Sequence, residues 1–371
     1  MGETTTVRKG EEIDSVRLEA YISDRLGKFG TLLTDQFPAG SSNLTYLIKF
    51  DTAEYVLRRP PVGNTVKTAH DMRREFEVLS KLSAVYRPAP KPILFCDDET
   101  VIGSEFYLME RRNGLIIRGS VNSPSVVSSD LSKGSANLAS TQFDQFNSSQ
   151  PFRLNVCKSF IQNLADLHSL DYRSAGLGEL GKPDGYCRRQ VEGWSRRYFA
   201  AKTDEHPHLE STIKWLNQNI PTESGASLVH NDYKFDNMML DPEDLTKITA
   251  VLDWEMVTIG DPLMDLGTTL GYWMSSEAGK EMLNMPFNPR VLMENVSRTE
   301  LAEMYADASG RDISNIQFYY VFGTFKIAVI AQQIYARYVK GFTQDIRFEH
   351  FNKFVEALGK ISASSIRTES I

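Results

Sequence analysis

The chain changes character twice along its length, and this division restricts the fold more than any other feature. Between Thr31 and Glu110, short runs rich in β-branched and aromatic residues (Thr31–Phe37, Asn43–Phe50, Glu54–Arg59, Ile93–Cys96 and Glu105–Glu110) alternate with turn formers such as Pro38, Gly40 and Asp51. One helical stripe, Met72, Phe76, Leu79 and Leu82, interrupts them, and Glu75, four residues before Leu79, lies beside its apolar face. From Phe152 onward the period becomes helical, with Val156, Phe160, Leu164 and Leu167 in register and long helical patterns over 299–308, 313–338 and 348–358. The expected class is therefore α+β. A lobe of mixed sheet and one long helix spans residues 1–112, opened by a further helix from Ser15 to Phe29, and a mainly helical lobe spans 152–371.

Between the two, residues 119–150 hold ten Ser in 32 positions. So little apolar surface cannot offset the entropy of ordering a chain, and the insert at 113–151 is expected to be flexible. With 371 residues there is ample chain for two lobes around a cleft. Acidic residues outnumber Lys and Arg by 48 to 41, a net charge of −7, which argues against a nucleic-acid partner. Cys96, Cys157 and Cys187 form no CxxC pair and read as small core hydrophobes of a reduced, cytoplasmic protein. The longest apolar stretch, Phe318 to Val339, carries Lys326, Gln332, Gln333 and Arg337, so a core helix is expected there and no membrane span.

Chemistry concentrates in one place. Strand-like runs at 227–237, 238–240 and 248–254 interrupt the helical half and are dense in His, Asp and Asn. Asp232 and Asn237 stand five residues apart on a loop, and Asp253 follows sixteen residues later at the end of an apolar strand. Phosphoryl transfer to a hydroxyl needs a carboxylate to orient the hydroxyl and accept its proton, together with hard oxygen ligands for Mg2+. Asp232 suits the first role, and Asn237 and Asp253 suit the second. His230 reads as a structural, hydrogen-bonding side chain, and in kinase-like loops, which this segment resembles, such a His holds the loop backbone.

These residues resemble the aminoglycoside phosphotransferase family of small-molecule kinases. His230-Asn231-Asp232-Tyr233-Lys234-Phe235-Asp236-Asn237 is similar to its His-Gly-Asp-Tyr-x-x-x-Asn, and Val251-Leu252-Asp253-Trp254-Glu255 to its Ile-Asp-Trp-Glu. Gly260-Asp261-Pro262-Leu263-Met264-Asp265-Leu266 resembles Gly-Asp-Pro-x-x-Asp-Leu, whose first Asp, here Asp261, would brace the catalytic loop. In the N-terminal part, Gly40-Ser41-Ser42-Asn43 resembles the loop that covers the nucleotide phosphates. The family's nucleotide-binding Lys falls at Arg58, with Glu75 as its helix partner, and Tyr107-Leu108-Met109-Glu110 resembles the hinge that receives adenine. A subgroup fits better still, the kinase-like domain associated with acyl-CoA dehydrogenases. Its Leu-Arg-x-Pro-Pro-x-Gly is met by Leu57-Arg58-Arg59-Pro60-Pro61-Val62-Gly63, which makes Arg58 the ordinary residue.

The resemblance implies a two-lobed, protein-kinase-like fold that binds ATP and Mg2+ and phosphorylates a small-molecule hydroxyl. In the subgroup that substrate is a hydroxyacyl-CoA. Arg188, Arg189, Arg196 and Arg197 concentrate positive charge in an acidic protein, as polyphosphate-bearing CoA would require, although a solvated helix face gives the same pattern. Two alternatives stand beside this reading. One is a kinase of an aminoglycoside or another small alcohol, and the other is a pseudokinase that binds nucleotide or acyl-CoA without turnover.

Overall fold

Alternation along the strands decides which side chains meet at the centre of the molecule. The computed structural model describes residues 4–27, 30–37, 43–61, 71–117, 142–274 and 289–371. Strands β1 (Leu33–Gln36), β2 (Leu44–Lys49), β3 (Glu54–Arg59), β4 (Pro92–Cys96) and β5 (Phe106–Glu110) form an antiparallel sheet in the order β1-β2-β3-β5-β4. Successive side chains of a strand point to opposite faces. Leu57, Phe106 and Leu108 therefore pack with Tyr46 and Ile48 against Leu18 and Ile22 of α1 (Ser15–Leu26), a helix whose first turn is capped by Asp14. Val56, Tyr107 and Met109 face the other way, toward Met72, Val78, Leu79 and Leu82 of α2 (Met72–Leu82). Arg58 shares this second face with Val56 and stands opposite Tyr107 in the β3–β5 register.

The rest of the chain is mainly helical, as its periodicity predicts. The helices are α3 (Gln150–His168), α4 (Tyr186–Ala201), α5 (Pro207–Gln218), α6 (Pro262–Tyr272), α7 (Arg298–Ser309), α8 (Ile316–Val339) and α9 (Phe351–Thr368). The apolar stretch at 318–339 lies within α8, most of it buried, and among the described residues no helix is long and apolar enough to cross a membrane. Every residue of α6 is buried, and α8 crosses it closely. Gly267 and Gly323 make that crossing possible, since a Cβ on Gly323 would stand 2.0 Å from the Gly267 carbonyl oxygen.

Residues 118–141, most of the Ser-rich insert, lie outside the described residues. Its end departs from the expected flexibility. Residues 142–148 are helical, and Phe146 is buried, because the Arg153 guanidinium of α3 donates to the Phe146 and Asn147 carbonyls at 3.0 and 2.9 Å.

Two small ladders in the helical part bring distant loops together. Strand β6 (Ser227–Val229) pairs with β9 (Thr258–Gly260), and β7 (Met238–Asp241) pairs with β8 (Asp244–Val251), both antiparallel. The 230–237 segment runs from β6 to β7, and the 252–257 segment runs from β8 to β9. The two must therefore lie side by side, and the Leu252 N–H donates to the Asn237 carbonyl at 2.8 Å.

Candidate active site

Local backbone geometry aims the loop. Asn231 and Asp253 are two of the three non-glycine residues with positive φ among those described, at 68° and 67°. Left-handed backbone costs most residues about 1–2 kcal/mol, so each must be held by its surroundings. Asn231 is held through four atoms. Its N–H donates to Asp265 Oδ1 at 2.7 Å and its Nδ2 to the Met256 carbonyl at 3.0 Å. Its Oδ1 accepts from the Tyr186 hydroxyl at 3.2 Å, and its carbonyl accepts from Lys326 Nζ at 2.6 Å.

Asp232 follows, with three hydrogen bonds to its carboxylate. Lys234 Nζ and Asn237 Nδ2 donate to Oδ2 at 2.7 and 3.0 Å, and the Tyr272 hydroxyl donates to Oδ1 at 2.9 Å. A carboxylate offers about four lone-pair positions, so one stays open for an acceptor hydroxyl. Burial alone would push the Asp232 carboxyl up, but the Lys234 ammonium, with His230 and the Tyr272 hydroxyl, holds it below the usual aspartate range. The group is thus ionised at neutral pH.

His230 fixes the same loop from below. Its Nε2 donates to the Leu252 carbonyl at 2.9 Å, and its Nδ1 accepts the Asp232 N–H at 3.2 Å. The bracing carboxylate is Asp265, not Asp261 as the motif led us to expect. Asp265 accepts the His230 and Asn231 N–H groups at 2.6 and 2.7 Å and faces His168 at 3.2 Å. Asp261 caps α6 through the Leu263 N–H and accepts from Ser224 and the Tyr319 hydroxyl, so its charge is spent away from the loop. The physical reason lies at the helix start: the N-cap side chain folds back onto its own first turn, whereas one turn further in a side chain can reach across.

Asp253 and Asn237 share the floor of the site. Arg58 Nη2 meets Asp253 Oδ1 at 3.2 Å, and among the described residues nothing donates to Asp253 Oδ2 or to Asn237 Oδ1. These are two hard oxygens on adjacent segments. The described residues contain no group of three or more His, Cys, Asp and Glu able to hold a metal. The donor set therefore suits an ion that takes its remaining ligands from phosphate and water, as Mg2+ does.

The sheet contributes the opposing wall. Arg58 Nη1 pairs with Glu75 Oε1 at 2.8 Å, with Glu75 only 2% exposed. Burial opposes the charge on Arg58, yet Glu75, Tyr107, Asp253 and Glu255 together raise its pKa. Asn43 Nδ2 donates to Glu255 Oε2 at 3.0 Å, which brings the start of β2 to the same cleft. Gly40, Ser41 and Ser42 lie outside the described residues. Glu110 ends β5, its Oε1 accepting from the Lys91 N–H and Arg112, both at 2.7 Å.

Two of the four arginines of the basic segment on α4 have partners among the described residues. Arg189 is bound to the carbonyls of Lys182 and Asp184, and Arg197 lies over the Trp194 ring with its guanidinium carbon 4.4 Å from the centroid. Arg188 and Arg196 are exposed, without an ion pair among the described residues.

The profile of the phosphotransferase enzyme family matches residues 34–133 and 138–318. The chain belongs to that family. This phosphotransferase is 34% identical over 372 residues to acyl-CoA dehydrogenase family member 11 of Gallus gallus, a match that covers 96% of this chain and 44% of that one. The Homo sapiens protein of the same name is 34% identical over 340 residues, covering 89% and 40%. The phosphotransferase thus spans less than half the length of these relatives. A solved structure from Ralstonia eutropha JMP134, whose name places it among aminoglycoside phosphotransferases, superposes with a TM-score of 0.74 at 28% identity, covering 96% of this chain and 99% of that one. Aminoglycoside phosphotransferase APH(4)-Ia, solved with AMP-PNP and hygromycin B, shares the fold at a TM-score of 0.56 and 14% identity, covering 94% and 98%. The two-lobed kinase-like architecture expected from the motifs is the one observed.

Proposed function

We propose that the chain transfers the γ-phosphoryl group of ATP to the hydroxyl of a hydroxyacyl-CoA, with Asp232 as the catalytic residue. The observation that carries the reading is the Asp232 carboxylate: ionised, held by three donors, and on the segment adjoining the open oxygens of Asn237 and Asp253. Asp232 orients the acceptor hydroxyl and takes its proton as the new oxygen–phosphorus bond forms and the bond to ADP breaks. Asn237 Oδ1 and Asp253 Oδ2 would hold Mg2+, which when bound supplies neutralising charge on the phosphates. Arg58 adds a fixed cation on the sheet side, with Glu75 setting its orientation. Asn43, with Ser41 and Ser42, would cover the phosphates, and the backbone at Glu110 would receive the base.

Two observations support the acyl-CoA acceptor over a cationic antibiotic. The curated relatives are named acyl-CoA dehydrogenase family members, and Arg188 and Arg196 are exposed cations on an acidic protein. The test is incubation with ATP, Mg2+ and separate panels of hydroxyacyl-CoAs, aminoglycosides and amino alcohols, followed by product mass. A phosphorylated hydroxyacyl-CoA formed by the native chain and lost in Asp232→Ala is expected. The Asp232→Ala protein should still gain thermal stability from nucleotide, by about 2.7 kcal/mol at 100 times the dissociation constant. Turnover of the aminoglycoside panel alone, or an undiminished Asp232→Ala, rejects the assignment.

A further inference from the structure

Lys326 is a buried cation in the middle of the long apolar helix α8, 2% exposed, with no carboxylate within ion-pair distance among the described residues. A lone ammonium is costly to bury, and such a group is kept where its charge or its hydrogen bond is needed. Its Nζ donates to the Asn231 carbonyl at 2.6 Å. That carbonyl belongs to the peptide linking Asn231 to Asp232, and the N–H of the same peptide donates to His230 Nδ1 at 3.2 Å. One peptide plane is therefore gripped at both ends, and Asp232 projects from it. The Gly267–Gly323 contact sets the approach of α8 to α6, and Lys326 follows Gly323 by three residues, about one turn.

We propose that Lys326 is a positioning residue for phosphoryl transfer, its ammonium fixing the 231–232 peptide in the left-handed turn that aims Asp232 at the acceptor. This rests on the assignment of Asp232 above. The groups whose charge reaches the amine are Asp265 of α6, Asp232 and Lys234 of the loop, and Arg197 of α4; burial outweighs the two carboxylates and brings the ammonium down to about 8. Trp194 adds its ring face, with the amine 5.6 Å from the centroid.

The experiment compares the native chain with Lys326→Met, Lys326→Arg and Asp232→Asn, using a hydroxyacyl-CoA as acceptor. Measured are kcat, both KM values, the pH dependence of kcat and the thermal midpoint. Lys326→Met should lose about 10- to 100-fold in kcat, the scale of a roughly 1 Å misplacement, with KM for nucleotide little changed and no fall in thermal midpoint. The native chain should lose kcat above pH 8; Lys326→Arg should recover part of the kcat lost in Lys326→Met and move that decline to higher pH. Native kcat in Lys326→Met overturns the proposal, as does a loss that Arg does not rescue and that tracks a lower thermal midpoint. If Asp232→Asn turns over like the native chain, the assignment of Asp232 has failed, and the positioning role fails with it.

Discussion

The Asn237 carboxamide clamps Asp232 twice, its Nδ2 donating to the Asp232 backbone carbonyl at 2.9 Å and to Oδ2 at 3.0 Å. The amide is thereby turned so that Oδ1 faces away from Asp232 and is left for a cation. Asn237→Asp keeps an oxygen ligand but places a second carboxylate where a donor stood. Like charges at this separation raise each other's pKa, and turnover should drop by about 100-fold, the scale of removing one preorganised donor. Steady-state kinetics with nucleotide binding measured alongside checks this; unimpaired turnover in Asn237→Asp would show that the clamp is dispensable.

The Arg58–Glu75 pair carries a separate expectation, on stability. Both side chains are buried, and removing one partner strands the other. Glu75→Ala should destabilise the fold by about 3–5 kcal/mol, whereas replacing both residues by apolar side chains should cost much less. Denaturant titration of the two single variants and the double variant measures the difference. Equal losses in Glu75→Ala and the double variant would contradict it.

Lys326 links stability to pH with a definite sign. Its pKa is about 8 in the folded chain against 10.5 as the ordinary value, so between these limits the unfolded chain binds more protons than the folded one. Stability contributed by this residue therefore rises as pH climbs from 8 toward 10.5, and below 8 the burial penalty of about 3 kcal/mol is fully present. Relative to Lys326→Met, the native chain should gain stability over that interval. Urea midpoints at pH 7.5 and 10 decide it, and a constant difference would refute the linkage.

Asp232 carries the same sign in a lower pH window. Its pKa lies below the ordinary 3.8, so its stabilising interactions are present above that value and fade as pH falls through the folded-state pKa. Asp232→Asn should accordingly flatten the acid limb of the stability profile while leaving the region near neutrality sloped as before. An unchanged acid limb would mean that the Lys234 and Tyr272 contacts do not favour the ionised form.

Gly323→Ala should be among the most damaging single substitutions, since its methyl carbon would stand 2.0 Å from a backbone oxygen that cannot step aside. A loss of about 3 kcal/mol or more is expected, read as a lower thermal midpoint. Gly310→Ala offers a contrast, because no atom lies within 4 Å of its added carbon and only its positive φ opposes the change.

The proximity of the Asp232–Asn237 loop to Asp253 was legible in the linear order of residues, because they sit on two short segments whose ladders force them together. Arg58 was legible through the family resemblance alone, and Glu75 also from helical phase. The motif assigns the brace to Asp261 and gives Asp265 no role, because which of its two aspartates reaches the loop depends on where the helix begins. Tyr272 and Lys326 approach from separate helices by tertiary packing that no local spacing encodes. Lys326 did leave a trace, as a lone charge within an apolar run, but that trace argued only against a membrane span. The end of the Ser-rich insert was misjudged because composition averaged over the segment hid the anchoring of Phe146 by Arg153.

The bare crossing of Gly267 over Gly323 also bears on motion. Two backbones in direct touch leave no clearance for sliding, so α6 and α8 travel as one rigid block carrying the Asp265 brace and the Lys326 grip with them. Any widening between the halves of the molecule would have to be taken up outside this block, leaving the Asp265 and Lys326 contacts to the Asp232 loop intact.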